Sequence, residues 1–156
     1  LALAVDSKAL YVTSIDAQRN EVRVGSDDEL LNDGLFASQS LWHLPSFPKE
    51  GLRLLSKIRL ASPPAPSLVR YEPESQEAPV KVSFERKQRA ISPGQSVAFY
   101  LPLVQEGEGG LRIASLDEDP GNQVQGEGFP SEGVLALLGS AVIEGPQTAE
   151  KSGSPA

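Results

Sequence analysis

His43 is the only histidine in the sequence, so any serine-histidine-aspartate arrangement would have to use it as the base. It sits between Trp42 and Leu44 in a stretch that otherwise packs, and no glycine-flanked nucleophile serine accompanies it. A general base needs positioned partners, so a structural or solvent-facing histidine is expected. The sequence holds no cysteine, which excludes disulfides, zinc-thiolate centres, persulfides and thiol nucleophiles. Asp117, Glu118 and Asp119 precede Pro120, Gly121 and Asn122 and offer oxygens to a hard cation. Their spacing lacks the alternate ligand positions and distant closing glutamate of a calcium loop, so a solvated acidic loop is expected and no metal. Gly107, Gly109 and Gly110 lack the lysine and hydroxyl residue of a phosphate loop. The chain is therefore expected to have no self-sufficient catalytic site.

Positive charge is what remains. Lys57 and Arg59 alternate with Ile58 and Leu60, so a strand through them would put both cations on one face and both apolar groups on the other. Glu85 to Arg89 (ERKQR) follows the β-forming run VKVSF and brings cations close to a turn. Between Lys49 and Arg89 nine basic residues face five acidic ones, a local excess of positive charge in a chain whose formal net charge is -7. Such segregation gives a mildly basic face on an acidic protein, and it fits phosphate contact and plain solvated strand faces alike.

The elements that must carry these residues are strands. Leu10 to Asp16 and Glu21 to Gly25 alternate around a polar link and predict a β-hairpin. Ser26 or Asp27 caps a short helical turn that the acids at 27–29 favour, with Gly34 placed to stop it. Leu35 to Leu44 reads as extended, and Pro45, Pro48 and Gly51 suit a boundary between two subdomains. Short strands are predicted at Leu52 to Leu60, Ser67 to Tyr71, Val80 to Phe84, Ser96 to Leu101 and Val134 to Glu144, with Gly139 marking a bulge or a close backbone approach. Gln105 to Gly133 is glycine-rich and acidic around one further possible strand at Leu111 to Leu116, and a long mobile excursion is expected over about 104–133. The fold class is thus mainly β: residues 1–45 as a hairpin and helical turn, 46–146 as a small antiparallel β-barrel, and 147–156 as a disordered polar tail. The sequence begins at Leu1 and has no methionine, so a processed or incomplete chain is expected. No run approaches the roughly 20 apolar residues of a membrane span, and no membrane partner is expected.

Val80 to Tyr100 (VKVSFERKQRAISPGQSVAFY), preceded by KIRLASPPAPSLV at Lys57 to Val69, resembles the C-terminal β-barrel of the tRNA-specific 2-thiouridylases. That family's pattern runs through a Lys-x-Arg-Tyr strand, a proline-containing turn and then a β-strand ending in a TPGQ-x-x-x-FY-like motif. LALAV at Leu1 to Val5, LYVTSIDAQRNEVRVG at Leu10 to Gly25 and GLFASQSLWHL at Gly34 to Leu44 resemble, in the same order, the family's central-domain segments and their lead into the barrel. The resemblance implies that residues 1–45 close a central domain. It also implies a parent enzyme that inserts sulfur at the wobble uridine of tRNA, using ATP, two catalytic cysteines and a sulfur-relay donor. Those parts, with the SGG-x-DS loop, belong to an N-terminal catalytic domain that this chain lacks, so no cofactor is expected here. Arg59, Leu60 and Gln95 fall on the family's tRNA-contact positions, Leu60 standing where tyrosine is usual, and Lys57 and Arg89 are expected to join them. The parent would be cytoplasmic in a bacterium and mitochondrial or plastid in a eukaryote. The alternative is a structural or protein-binding β-barrel without an RNA role, for which Leu60 and the net charge of -7 speak.

Overall fold

The computed structural model describes residues 9–113 and 133–147. Among them are nine strands and a single 3-10 turn. β1 (Tyr11–Asp16) and β2 (Glu21–Gly25) form a separate two-stranded hairpin. Its turn is tied by the Asp16 carboxylate, which accepts from the Gln18 and Arg19 amides at 3.0 and 3.1 Å. Ser26 then caps the 3-10 turn Asp27–Leu30, its own amide donating to Glu29 Oε1 at 3.0 Å. The turn ends at Leu31, which is already extended, and Gly34 lies inside the following strand instead of stopping a helix.

Seven strands make the second sheet: β3 (Leu31–Trp42), β4 (Leu52–Lys57), β5 (Ala65–Tyr71), β6 (Val80–Arg89), β7 (Ser96–Glu106), β8 (Gly110–Ile113) and β9 (Gly133–Pro146). Their order is β4-β5-β6-β3-β9-β7-β8, and a further β4–β7 pairing closes six of them into an antiparallel barrel with β8 outside the ring. Closure removes the exposed edges that a flat sheet of these strands would leave. Inward positions alternate with outward ones, as the pleat requires: Val80, Val82 and Phe84 on β6, Val97 and Phe99 on β7, Leu35 and Ala37 on β3. These side chains fill the interior, as in other narrow barrels. Two serines share the core, Ser56 Oγ and Ser67 Oγ lying 2.6 Å apart while Ser67 also donates to the Leu54 carbonyl at 3.1 Å.

Three expectations change. The break at Pro45 to Gly51 lies between β3 and β4, two strands of one barrel, so the barrel starts at Leu31 and not at residue 46. Prolines interrupt strands without ending a core, and β3 supplies Leu35 and Ala37 to the interior on the near side of that break. The strand expected to reach Leu60 stops at Lys57. The stretch at 104–133 begins as ordered hairpin, since β7 runs on to Glu106 and β8 returns beside it with Ile113 opposite Leu103. Residues 114–132, the tail beyond 147 and Leu1 to Val5 lie outside the described residues.

Gly139 is both a bulge and a close approach. Phe99 faces Gly139 while Tyr100 faces Leu137, which leaves Leu138 as the extra residue on β9. A Cβ on Gly139 would stand 2.4 Å from Trp42 Cε3. Trp42 stacks on Phe99 with centroids 4.9 Å apart and meets Phe47 and Tyr71, so this end of the barrel is plugged by aromatic rings. A cavity of about 220 Å³ opens beside them, between Phe47, Tyr71 and Pro73.

Candidate nucleic-acid interface

Strand direction assigns the cations to ends of the barrel. β4 and β6 finish, and β3 and β7 begin, at the end opposite the aromatic plug. Lys57 lies opposite Ala98, so the chain beyond Lys57 runs back beside the start of β7, where Gln95 precedes Ser96. Arg59 leaves this seam and reaches across to the end of β6, its Nη2 donating to the Ala90 carbonyl at 3.3 Å. The same carbonyl accepts from Ser92 Oγ at 3.3 Å, while the Ala90 amide donates to Leu30 O at 2.9 Å. Arg59 is thereby fixed to the segment that leads into the Ser92–Gln95 turn.

That turn is set by local chemistry. Pro93 supplies the fixed φ of the second position and Gly94, at φ +83°, the left-handed third position, the residue pattern of a type II turn. The Gly94 amide donates to Ile143 O and the Ile143 amide to Gln95 O, both at 2.7 Å, which anchors the turn to β9. The Gln95 side chain is exposed and has no partner among the described residues. Lys57, half-buried, and Arg59 have no acidic partner among them either. Three of the expected residues thus share one end, with donors available: a guanidinium using one of its five N–H groups internally, an ammonium and an amide.

The other two differ from expectation in position or engagement. Leu60 does not share an inner face with Ile58: Ile58 is buried and Leu60 is 93% exposed. The reason is that alternation ends with β4 at Lys57, and Arg59 to Ser62 is a turn closed by the Ser62 amide on Arg59 O. Arg89 turns away to the hairpin. Its Nε and Nη2 contact Asp27 Oδ1 at 2.8 and 2.6 Å, and its guanidinium lies 4.9 Å from the Tyr11 ring centroid. The hydrogen bond that Arg89 donates to the Asp27 carboxylate raises the Arg89 pKa above its ordinary value, with the Tyr11 contact adding to it. Arg89 is thus the strut that joins hairpin to barrel.

A feature not expected from the sequence lies next to it. Asn32 faces Gln88 but Gly34 faces Ser83, so two steps along β3 span five along β6, and the excess forms a bulge after Phe84. Glu85, Arg86 and Lys87 are consecutively exposed there. The only sign in the sequence is that the alternation Val80, Val82, Phe84 has no apolar successor at 86. His43 is exposed and only its backbone is engaged, the amide donating to Leu138 O at 2.8 Å. Among the described residues no three histidine, aspartate or glutamate side chains are grouped to hold a metal ion.

The fold is a six-stranded antiparallel barrel carrying a basic residue, an arginine-anchored turn and a Pro-Gly-Gln tip at one end, and residues 32–108 match the family model described as the aminomethyltransferase beta-barrel domain. The chain belongs to the tRNA-specific 2-thiouridylase family, as the part that contains this barrel. It is 42% identical over 96 residues to tRNA-specific 2-thiouridylase MnmA of Symbiobacterium thermophilum, an alignment covering 60% of this chain and 23% of that protein. It is 34% identical over 114 residues to the enzyme of the same name from Trichlorobacter lovleyi, covering 73% of this chain and 31% of that one. The match to its counterpart in Halothermothrix orenii is 35% over 91 residues, 58% of this chain and 25% of that protein. The chain thus spans between about a quarter and a third of the length of these relatives.

Proposed function

We propose that this barrel positions tRNA for a 2-thiouridylase whose chemistry is carried by other parts of the parent protein. The observation that supports the reading is the convergence of Lys57, Arg59 and Gln95 at one barrel end. Arg59 is held by its bond to Ala90 O, so its remaining N–H groups are pre-oriented for phosphate oxygens, and charge-assisted bonds of that kind are the strong ones. Gln95, at the tip of a rigid turn, offers a donor and an acceptor to a sugar hydroxyl or a base edge. Leu60, fully out in solvent beside them, adds apolar contact but no ring for a base to stack on. Contacts of this type orient a backbone more than they read a sequence.

In this reading sulfur insertion at the wobble uridine, the catalytic cysteines and a sulfur-relay donor lie with the catalytic domain of the parent. ATP belongs there too. The glycines at 107 and 109 make the β7–β8 turn, with positive φ, and the described residues contain no strand-to-helix loop that fits a nucleotide phosphate. What this chain contributes is orientation of the tRNA, which lowers the entropic cost of bringing the uridine to the reacting centre.

Filter binding of the 156-residue chain to unfractionated tRNA over rising salt tests the proposal. Binding is expected to be weak and to fall with salt, by about 0.7 to 0.9 in log K per log salt for each phosphate engaged. Arg59→Ala is expected to weaken it roughly tenfold, the worth of one charge-assisted contact. Salt-independent binding, or unchanged binding by both Arg59→Ala and Gln95→Ala, would refute the RNA role. The same result would favour the rival reading, a protein-binding barrel presenting Leu60.

A further inference from the structure

The β6 bulge places two cations where the expected site did not. Five steps of β6, from Ser83 to Gln88, span two steps of β3, and the surplus chain has to leave the ladder. Bulges re-aim side chains and are over-represented at barrel rims and beside functional sites. Of the three residues put out into solvent, Glu85 is occupied by Arg53, whose Nη2 lies 2.5 Å from its carboxylate. Arg86 and Lys87 have no acidic partner among the described residues. Two adjacent unpaired cations on a chain of net charge -7 run against the composition, and the neutralised glutamate removes the only opposing charge within the bulge.

Their position ties them to the site already described. Lys87 stands three residues before Ala90, whose carbonyl Arg59 grips from across the barrel end. Arg89, which the sequence offers for the same task, is occupied by Asp27 and Tyr11. We infer that Arg86 and Lys87 form a second phosphate-contacting pair, presented by the β6 bulge, which continues the Arg59 and Gln95 end along the RNA backbone. The inference rests on the tRNA-positioning reading, adding residues and a path to it. Arg53 contributes indirectly: by holding Glu85 it keeps a carboxylate away from the phosphates, so the charge presented by the bulge is doubly positive.

The experiment is the same salt series with unfractionated tRNA, using the whole chain, its Arg86→Gln/Lys87→Gln variant and a control, Lys49→Gln/Arg112→Gln. The control removes the same charge at the far end of the barrel, where Lys49 precedes β4 and Arg112 lies on β8. Both pairs are exposed, and equal circular dichroism and thermal midpoints establish that each variant folds. The bulge variant is expected to lower the magnitude of the log K against log salt slope by about 1.4 to 1.8, the signature of two lost phosphates, and the control to leave it unchanged. An unchanged slope in the bulge variant while Arg59→Ala still weakens binding would overturn the inference and leave the positioning role standing. An equal drop in the control would overturn it as well, reducing the effect to net charge. Absence of any binding by the unsubstituted chain would remove both readings together.

Discussion

Replacing Gly139 by alanine adds one methyl group at the tightest point of the barrel. An ordinary Cβ contact is 3.4 Å or more, but here the new carbon would stand 2.4 Å from Trp42 Cε3, 2.9 Å from Trp42 Cζ3 and 2.6 Å from the Leu41 carbonyl oxygen. Neither neighbour yields readily. Leu41 is backbone in β3, paired to Ser140 of the same β9 strand, so shifting it breaks ladder bonds. The Trp42 ring is trapped by its stack on Phe99, 4.9 Å between centroids and 22° between planes, and by Phe47 and Tyr71. Overpacking of a tight core costs about 1–3 kcal/mol, and two immovable neighbours put Gly139→Ala at about 3. For a domain of this size that corresponds to a fall of roughly 10 °C in Tm. Gly145→Ala is the matched control on the same strand: nothing lies within 4 Å of its Cβ, so the two variants share any effect on the unfolded chain and differ in the clash. Urea and thermal unfolding, followed by near-ultraviolet circular dichroism and by the emission of the single tryptophan, reports stability and ring packing at once. A difference between the variants below about 0.5 kcal/mol, with Trp42 emission unmoved, would refute the steric account.

The buried serine pair predicts an asymmetry: Ser67→Ala deprives the Ser56 hydroxyl of its partner and is expected to cost about 1–3 kcal/mol, whereas Ser56→Ala leaves Ser67 bonded to the Leu54 carbonyl and costs less, as urea midpoints will show. Arg89→Ala is expected to raise amide exchange in the β1–β2 hairpin and to leave the exchange of β7 and β9 unchanged, because the side chain spans from barrel to hairpin and supports nothing in the core. Since Asp27 raises the Arg89 pKa, the link is complete below the unfolded value and is lost only as pH climbs through the still higher folded one, so hairpin exchange corrected for its intrinsic rate stays flat across neutral pH.

Most of the strands were legible because period-2 alternation registers directly which face is buried. Val80, Val82 and Phe84 read as one wall, and they are one. The capped turn at Ser26 and the tip at Ser92–Gln95 were legible because proline, glycine and serine each act there through local geometry. Non-local closure was not. Nothing in Pro45 to Gly51 distinguishes a domain boundary from a loop between two strands of one ring, since both need the same turn residues, and only the pairing of β3 with β6 and β9 decides it. The site was half legible for a similar reason. Arg59 and Gln95 share an end because β4 and β7 are antiparallel neighbours, whereas Arg89 and Leu60 took other directions once a hairpin carboxylate and a strand end intervened. A bulge adds residues without any composition of its own, which is why Arg86 and Lys87 passed as ordinary strand positions.

The ring is sewn shut by a short seam. β7 runs along β9 from Ser96 to Val104, but β4 meets β7 only where Leu55, Ser56 and Lys57 face Tyr100, Phe99 and Ala98. With three paired positions this seam has the fewest rungs of any pairing in the ring, so it is expected to open before the others. Lys57 is its final stitch, with Arg59 just beyond, so each opening swings the arginine away from the Gln95 tip. The spacing of Arg59 and Gln95 is therefore governed by how often a three-rung zipper lets go, and in the proposed positioning role a ligand gripping both would hold it closed.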